Sequence, residues 1–164
     1  LDAAQMYLEG DERGIPEIAG IIPTIRSKVY RGAGDLDAAK HEMDTLLTDL
    51  GYPAIQDAPG IAISALIEST EVHRQLGDYA TAEVLVGDLI GFLEVRTDPE
   101  SEGDVYLGRA HVQRAELRIE SGNASGAIPD LEFALPHLVY ALGEEHAEAE
   151  SARELLATAR DALE

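Results

Sequence analysis

The stretch Gly77-Asp78-Tyr79-Ala80-Thr81-Ala82 is the middle one of three copies of a short turn. The others are Gly34-Asp35-Leu36-Asp37-Ala38-Ala39 and Gly122-Asn123-Ala124-Ser125-Gly126-Ala127. Each copy has Gly, then Asp or Asn, then Ala five residues after the Gly, and the glycines are 43 (34 to 77) and 45 (77 to 122) residues apart. A turn that recurs at such an interval between helix-period segments predicts a stack of helical hairpins.

Apolar residues at helical spacing predict the individual elements. We predict helices over residues 15–31, 36–50, 61–76, 79–95, 104–120, 124–142 and 146–163, with a kink at Pro23 and a bend or break near Pro136. Three of these helices have a clear apolar stripe that should face inward: Ala62, Ala65, Leu66, Val72 and Leu76; Ala82, Leu85, Val86, Leu89, Ile90 and Leu93; and Ala149, Ala152, Leu156, Ala159 and Leu163.

The first residues repeat a later stretch. Leu1-Asp2-Ala3-Ala4 matches Leu36-Asp37-Ala38-Ala39 letter for letter. We therefore expect the chain to open inside the second helix of a repeat, as part of a longer protein.

The turns carry a family resemblance. HEAT and armadillo repeats have periods close to the one seen here. The turn residues, however, resemble the tetratricopeptide signature, in which Gly is followed by an aromatic residue or Leu two residues later and by a small residue five residues later. Gly77, Tyr79 and Ala82 fit this pattern. A small residue also stands seven before each Gly: Ser27, Thr70 and Ala115. The long period resembles the extended tetratricopeptide units of kinesin light chains and bacterial regulators.

This resemblance implies an all-α fold, a right-handed α-α superhelix of antiparallel hairpins with seven or eight helices. We expect one domain over residues 1–164, with repeats at about 15–50, 58–95 and 103–142 and a capping helix at 146–163. It also implies a module that binds a peptide or protein segment in a concave groove, as part of a bacterial regulatory or signalling protein.

Charge and composition exclude several classes of partner. The net charge is −20, from 32 acidic and 12 basic residues. Such a field repels phosphate backbones and anionic lipid surfaces, so we expect no nucleic-acid and no membrane partner. The chain has no Cys, which removes disulfides and thiol chemistry. We expect a cytoplasmic location.

No catalytic constellation is visible. No Gly precedes either Lys, so the phosphate-binding Gly-Lys loop is missing. His41-Glu42 begins like a zinc-protease helix but lacks the second His one turn later. The acidic cluster from Glu144 to Glu150 suits a solvated helix N-terminus. We predict no enzyme activity, no metal site and no cofactor.

Four cations are the predicted ligand contacts. Lys28, Arg31, Arg74 and Arg109 lie on first helices, at positions that face the groove in tetratricopeptide stacks. A guanidinium can bind a carboxylate with two hydrogen bonds, which favours an acidic or C-terminal peptide. The alternative is that they are ordinary surface cations that pair with neighbours such as Glu71 and Glu116. A second functional hypothesis is purely structural: intramolecular packing or homo-oligomerisation.

Overall fold

The computed structural model describes residues 16–55, 59–96 and 104–163 of the chain. These residues form seven α-helices and no strand. The helices are α1 (Pro16–Gly32), α2 (Leu36–Asp49), α3 (Pro59–Gln75), α4 (Tyr79–Glu94), α5 (Val105–Glu120), α6 (Ala124–Leu142) and α7 (Ala147–Asp161). The predicted all-α class is confirmed for this part of the chain.

The three turn glycines end the first helix of each hairpin in the same way. After α3, the Gly77 N–H donates to the Arg74 carbonyl at 3.0 Å and the Asp78 N–H donates to the His73 carbonyl at 2.9 Å. This pair of bonds defines the Schellman motif, whose central residue needs a left-handed backbone. The turn glycines supply it, with φ of +82° at Gly34, +74° at Gly77 and +84° at Gly122.

The residue after each turn glycine also starts the next helix. Its side chain accepts a hydrogen bond from the backbone N–H three residues on, which satisfies one of the unpaired donors of the helix N-terminus. The three bonds are Ala38 to Asp35 (3.1 Å), Thr81 to Asp78 (3.2 Å) and Gly126 to Asn123 (3.1 Å). The turn chemistry therefore fixes both helices of each hairpin.

The described residues fall into two compact units that adjoin in sequence between Val72 and His73. In the first unit α1 packs against α2, and three-residue connections make such helices antiparallel neighbours. The apolar face of α2 is buried and comprises Ala39, Met43, Leu46 and Leu47. The assignment of residues 1–164 to one domain stays a prediction.

The second unit packs its helices in chain order, α4 on α5, α5 on α6 and α6 on α7. A core cluster lies among α5, α6 and α7, and its buried members are all Ala or Leu. The buried members are Ala115, Ala127, Leu131, Leu138, Ala149, Ala152, Leu156 and Ala159.

Two columns of small residues around the turn glycines are completely buried. The residues seven before each turn glycine, Ser27, Thr70 and Ala115, have no exposed surface. The residues five after it, Ala39, Ala82 and Ala127, have none either. A larger side chain at these positions would separate the packed helices.

Two residues that were predicted to face inward do not. Leu76 and Leu163 are 38% and 58% exposed rather than inward, because α3 ends at Gln75 and α7 at Asp161, beyond which helical spacing no longer holds. Of the bend or break predicted near Pro136, a break is excluded because α6 runs on to Leu142, and a bend stays a prediction. Pro136 and Glu132, whose carbonyl the proline leaves without a donor, are both exposed, so water can satisfy that carbonyl. α1 likewise continues through Pro23, and the kink expected there stays a prediction.

Two further observations bound the fold. Residues 1–4, which repeat residues 36–39, lie outside the described residues, so the prediction based on them stays untested. Among the helices that are described, none combines the length and the apolarity that crossing a membrane requires.

Candidate peptide-binding site

The four predicted ligand contacts divide between the two units. Lys28 and Arg31 lie on α1 in the first unit, whereas Arg74 ends α3 and Arg109 lies on α5 in the second. Lys28 is exposed, and no described carboxylate lies within ion-pair distance of it. Each of the three arginines pairs with an acidic residue of the next first helix.

Arg31 is held by a buried carboxylate. Its Nε and Nη2 donate to Glu68 Oε1 and Oε2 at 3.0 and 3.3 Å, and its Nη1 lies 3.5 Å from Glu71. The Glu68 side chain is only 2% exposed and also accepts from Ser27 Oγ at 3.2 Å. Removing one partner of a buried pair leaves a buried charge and costs about 3–5 kcal/mol. The Arg31 guanidinium is therefore committed to structure.

Arg74 and Arg109 form the other two pairs between first helices. Arg74 binds Glu120 at the end of α5. Arg109 Nε and Nη2 donate to the two carboxylate oxygens of Glu148 on α7 at 2.6 and 2.7 Å. These hydrogen bonds raise the pKa of Arg109 and lower the pKa of Glu148. Both side chains remain well exposed, at 43% and 38%.

A pocket of about 190 Å³ opens beside the Arg109–Glu148 pair. Helices α5 and α7 supply most of the lining, and Leu138 of α6 adds an apolar side chain beside Val112 of α5. The remaining lining residues are polar or charged: Arg109, Gln113, Glu116, Glu148 and Ser151. An apolar surface with charged groups around it suits one side chain of an extended segment, with the backbone or a carboxylate held at the rim. Of the four predicted contacts, Arg109 lines this pocket.

Sequence reasoning missed a buried polar cluster around Asp130, which lies on α6 and is 2% exposed. It accepts from His111 Nδ1 at 2.8 Å, from Arg114 Nε at 3.0 Å and from Arg118 Nη1 at 2.7 Å. Arg118 also donates from Nε to Glu83 on α4 at 2.9 Å. The cluster thus ties α4, α5 and α6 together.

Burial and ion pairing shift the pKa of Asp130 in opposite directions. Burial alone would raise its pKa, but hydrogen bonds from His111 and Arg114 and the charges of Arg114 and Arg118 hold the pKa below its ordinary value. Asp130 is therefore an ionised structural anchor at neutral pH.

A repeated spacing in the sequence could have revealed the Arg114–Asp130 ion pair. Arg114 stands eight residues before Gly122 and Asp130 eight after it, and Arg26 and Glu42 stand likewise around Gly34. The second pair is also an ion pair, at 3.6 Å. The middle hairpin has Ser69 and Leu85 at these positions, which hid the pattern.

The acidic cluster from Glu144 to Glu150 lies at the N-terminus of α7. His146 caps α7 by accepting from the Glu148 N–H at 3.3 Å, and Arg153 donates to the Glu144 carbonyl at 2.8 Å. Within the described ranges, no three potential metal ligands come together.

Comparison with known proteins adds no relative. No protein-family model matches the chain, and the search of curated proteins finds no similar sequence.

Proposed function

We propose that this chain is a tetratricopeptide-like interaction module that binds a peptide or protein segment at the pocket beside Arg109. The pocket between α5 and α7 carries the proposal, because it combines an apolar surface with a bidentate guanidinium at its rim. The partner that fits is an acidic or C-terminal segment whose carboxylate takes the place of Glu148 on Arg109. A cytoplasmic bacterial regulator, with neither enzyme activity nor cofactor, is the setting we propose.

The exposure of the two pairs selects Arg109 over Arg31. An exposed ion pair contributes only about 0.2–1 kcal/mol, so an incoming carboxylate can displace Glu148 at low cost. Displacing Glu68 from Arg31 would leave a carboxylate that is 2% exposed without its cation. Lys28, which has no paired carboxylate among the described residues, is the second site that an acidic ligand can use.

Two substitutions with opposite effects test this proposal. We would measure binding of fluorescently labelled acidic peptides with free C-termini by anisotropy, starting from an array. Arg109→Ala should weaken binding about tenfold or more, because it removes a charge-assisted bidentate contact. Glu148→Ala should strengthen binding by a few-fold, because Arg109 no longer has an internal competitor.

A matched control is available on the same unit. Arg160 pairs with Glu132 at 2.8 Å, and both side chains are more than half exposed, at 56% and 54%. Arg160→Ala removes the same charge away from the pocket and should leave affinity unchanged. Equal losses for Arg109→Ala and Arg160→Ala would show a general charge effect and sink the proposed site.

One observation favours the structural alternative. Arg31, Arg74 and Arg109 each bind a carboxylate of the following first helix, so these cations also contribute to stacking of the hairpins. A purely structural module would bind no peptide, and Arg109→Ala would alter stability alone. A mass that rises with concentration in sedimentation velocity would indicate homo-oligomerisation.

A further inference from the structure

The lining of the pocket beside Arg109 carries charges of both signs in a fixed order. The residues that α5 contributes follow one another at helical spacing and therefore lie on one face of the helix: Arg109, Val112, Gln113 and Glu116. Seven residues at about 1.5 Å each place the Cα atoms of Arg109 and Glu116 about 10 Å apart along the helix. A ligand that lies along this face meets a cation, then an apolar surface, then an anion.

The charges of the pocket disfavour a ligand that is only acidic. The lining has one cation, Arg109, and two carboxylates, those of Glu116 and Glu148. A ligand carboxylate that displaces Glu148 from Arg109 leaves three negative groups beside one guanidinium. The net charge of −20 acts in the same direction, because it repels a segment of negative net charge. A ligand that brings a cation together with its carboxylate reduces both repulsions.

The size of the pocket limits what enters it. Its volume of about 190 Å³ is below the roughly 300–1,000 Å³ of pockets that hold a drug-sized molecule. The apolar part of the lining consists of Val112 and Leu138. The pocket therefore takes one apolar side chain, and the charged groups of the ligand stay at its rim.

An extended segment can present its groups at the spacing of the pocket. A β-strand rises about 3.3 Å per residue, so the residue three before a C-terminus lies about 10 Å from it, which is also the separation of Arg109 and Glu116. Successive side chains of such a segment point to opposite sides, so the residues one and three before the terminal residue share a side. With the terminal carboxylate on Arg109, the first of these side chains reaches Val112 and the second reaches Glu116.

We propose that the pocket recognises a C-terminal segment with an apolar residue one before the terminal residue and Lys or Arg three before it. This inference rests on the proposed function and narrows its ligand. The terminal carboxylate binds Arg109 in place of Glu148, the apolar side chain fills the pocket, and the cation pairs with Glu116. Glu116 is thus the residue that determines specificity, and purely acidic segments are poor ligands.

Peptides of equal composition test the position of the cation. Anisotropy titrations would compare three N-terminally labelled octapeptides with free C-termini, uncharged in their first four residues and ending in Lys-Ser-Leu-Ser, Ser-Lys-Leu-Ser or Ser-Ser-Leu-Ser. Because Glu116 is half-buried at the rim, we expect the first peptide to bind about two- to fivefold more tightly than the other two, as a partly exposed ion pair allows.

Substitutions of Glu116 assign this preference to its carboxylate. Glu116→Gln should remove the preference and leave the affinity for the peptide without Lys unchanged. Glu116→Lys should reverse it, so that a peptide ending in Glu-Ser-Leu-Ser binds more tightly than the one ending in Lys-Ser-Leu-Ser. Glu132→Gln is the matched control, because Glu132 lies in an exposed ion pair with Arg160 on the same unit and does not line the pocket. It should leave the preference as it is in the wild type.

The outcomes separate this inference from the proposed function. If Arg109→Ala weakens binding while the three peptides bind the wild type equally, the proposed function stands and the position of the cation is wrong. A preference that survives Glu116→Gln would also overturn the inference, because the cation would then contact another group. Binding of none of the peptides would overturn both. Far-UV circular dichroism confirms that each variant is folded.

Discussion

The substitution Asp130→Asn tests whether the buried ion pairs of Asp130 stabilise the second unit. The substitution keeps the shape and one acceptor oxygen but removes the only described carboxylate that accepts from His111, Arg114 and Arg118 together. Breaking a buried ion pair costs about 3–5 kcal/mol. Because Arg114 and Arg118 are 22% and 24% exposed and can recruit water, we expect the lower end, about 3 kcal/mol.

The assay is urea unfolding followed by far-UV circular dichroism. A loss of about 3 kcal/mol corresponds to a Tm lower by about 6–12 °C for a chain of this size. Glu132→Gln is the matched control, because Glu132 lies two residues further on the same helix in an exposed ion pair. It should change the free energy of unfolding by less than about 0.5 kcal/mol.

The pH dependence gives the same prediction a second readout. The pKa of Asp130 is lower in the folded protein than its ordinary value, so its contribution to stability is complete above the unfolded-state pKa. The contribution is lost as the pH falls through the folded-state pKa. The difference between wild type and Asp130→Asn should therefore shrink below about pH 3–4. A penalty no larger than that of Glu132→Gln, or one that does not change with acidification, would refute the reasoning.

The remaining predictions concern Arg31 and the turn glycines, with unfolding free energy as the measurement. Arg31→Ala leaves the buried Glu68 without its cation and should lower the free energy of unfolding by about 3 kcal/mol, the lower end for a buried pair because Arg31 itself is 25% exposed. Lys28→Ala, one helical turn away and exposed, should change the free energy of unfolding by less than about 0.5 kcal/mol. Gly77→Ala should cost about 1–2 kcal/mol because φ is +74°. Gly87→Ala, inside α4 with open space around the new Cβ, should instead stabilise by about 0.5–1 kcal/mol. If both alanines shifted stability in the same direction, the backbone argument would be wrong.

Local chemistry made the hairpins predictable from sequence. The turn at Gly77 and the cap at Asp78 act within a few residues, so the residue types alone specify their geometry. The inward stripe of α4 follows from helical period for the same reason, and all six predicted members are buried. Leu76 and Leu163 fail where that period ends.

The site was less predictable because its contacts join residues that are far apart in sequence. The acidic partners of Arg31, Arg74 and Arg109 lie 37 to 46 residues further along the chain. No local spacing rule reaches such distances. The choice between Glu68, which is buried, and Glu71, which is more exposed, depends on packing rather than on residue type.

The double role of the turn residues has a consequence for how the chain can vary. Each hairpin turn has three residues between its helices (33–35, 76–78 and 121–123), whereas the connections from one hairpin to the next have nine, ten and four. Asp78 closes α3 with its N–H and starts α4 with its carboxylate, so an inserted residue there would break one of the two. Insertions and deletions should therefore be tolerated in the connections between hairpins but not in the three-residue turns within them.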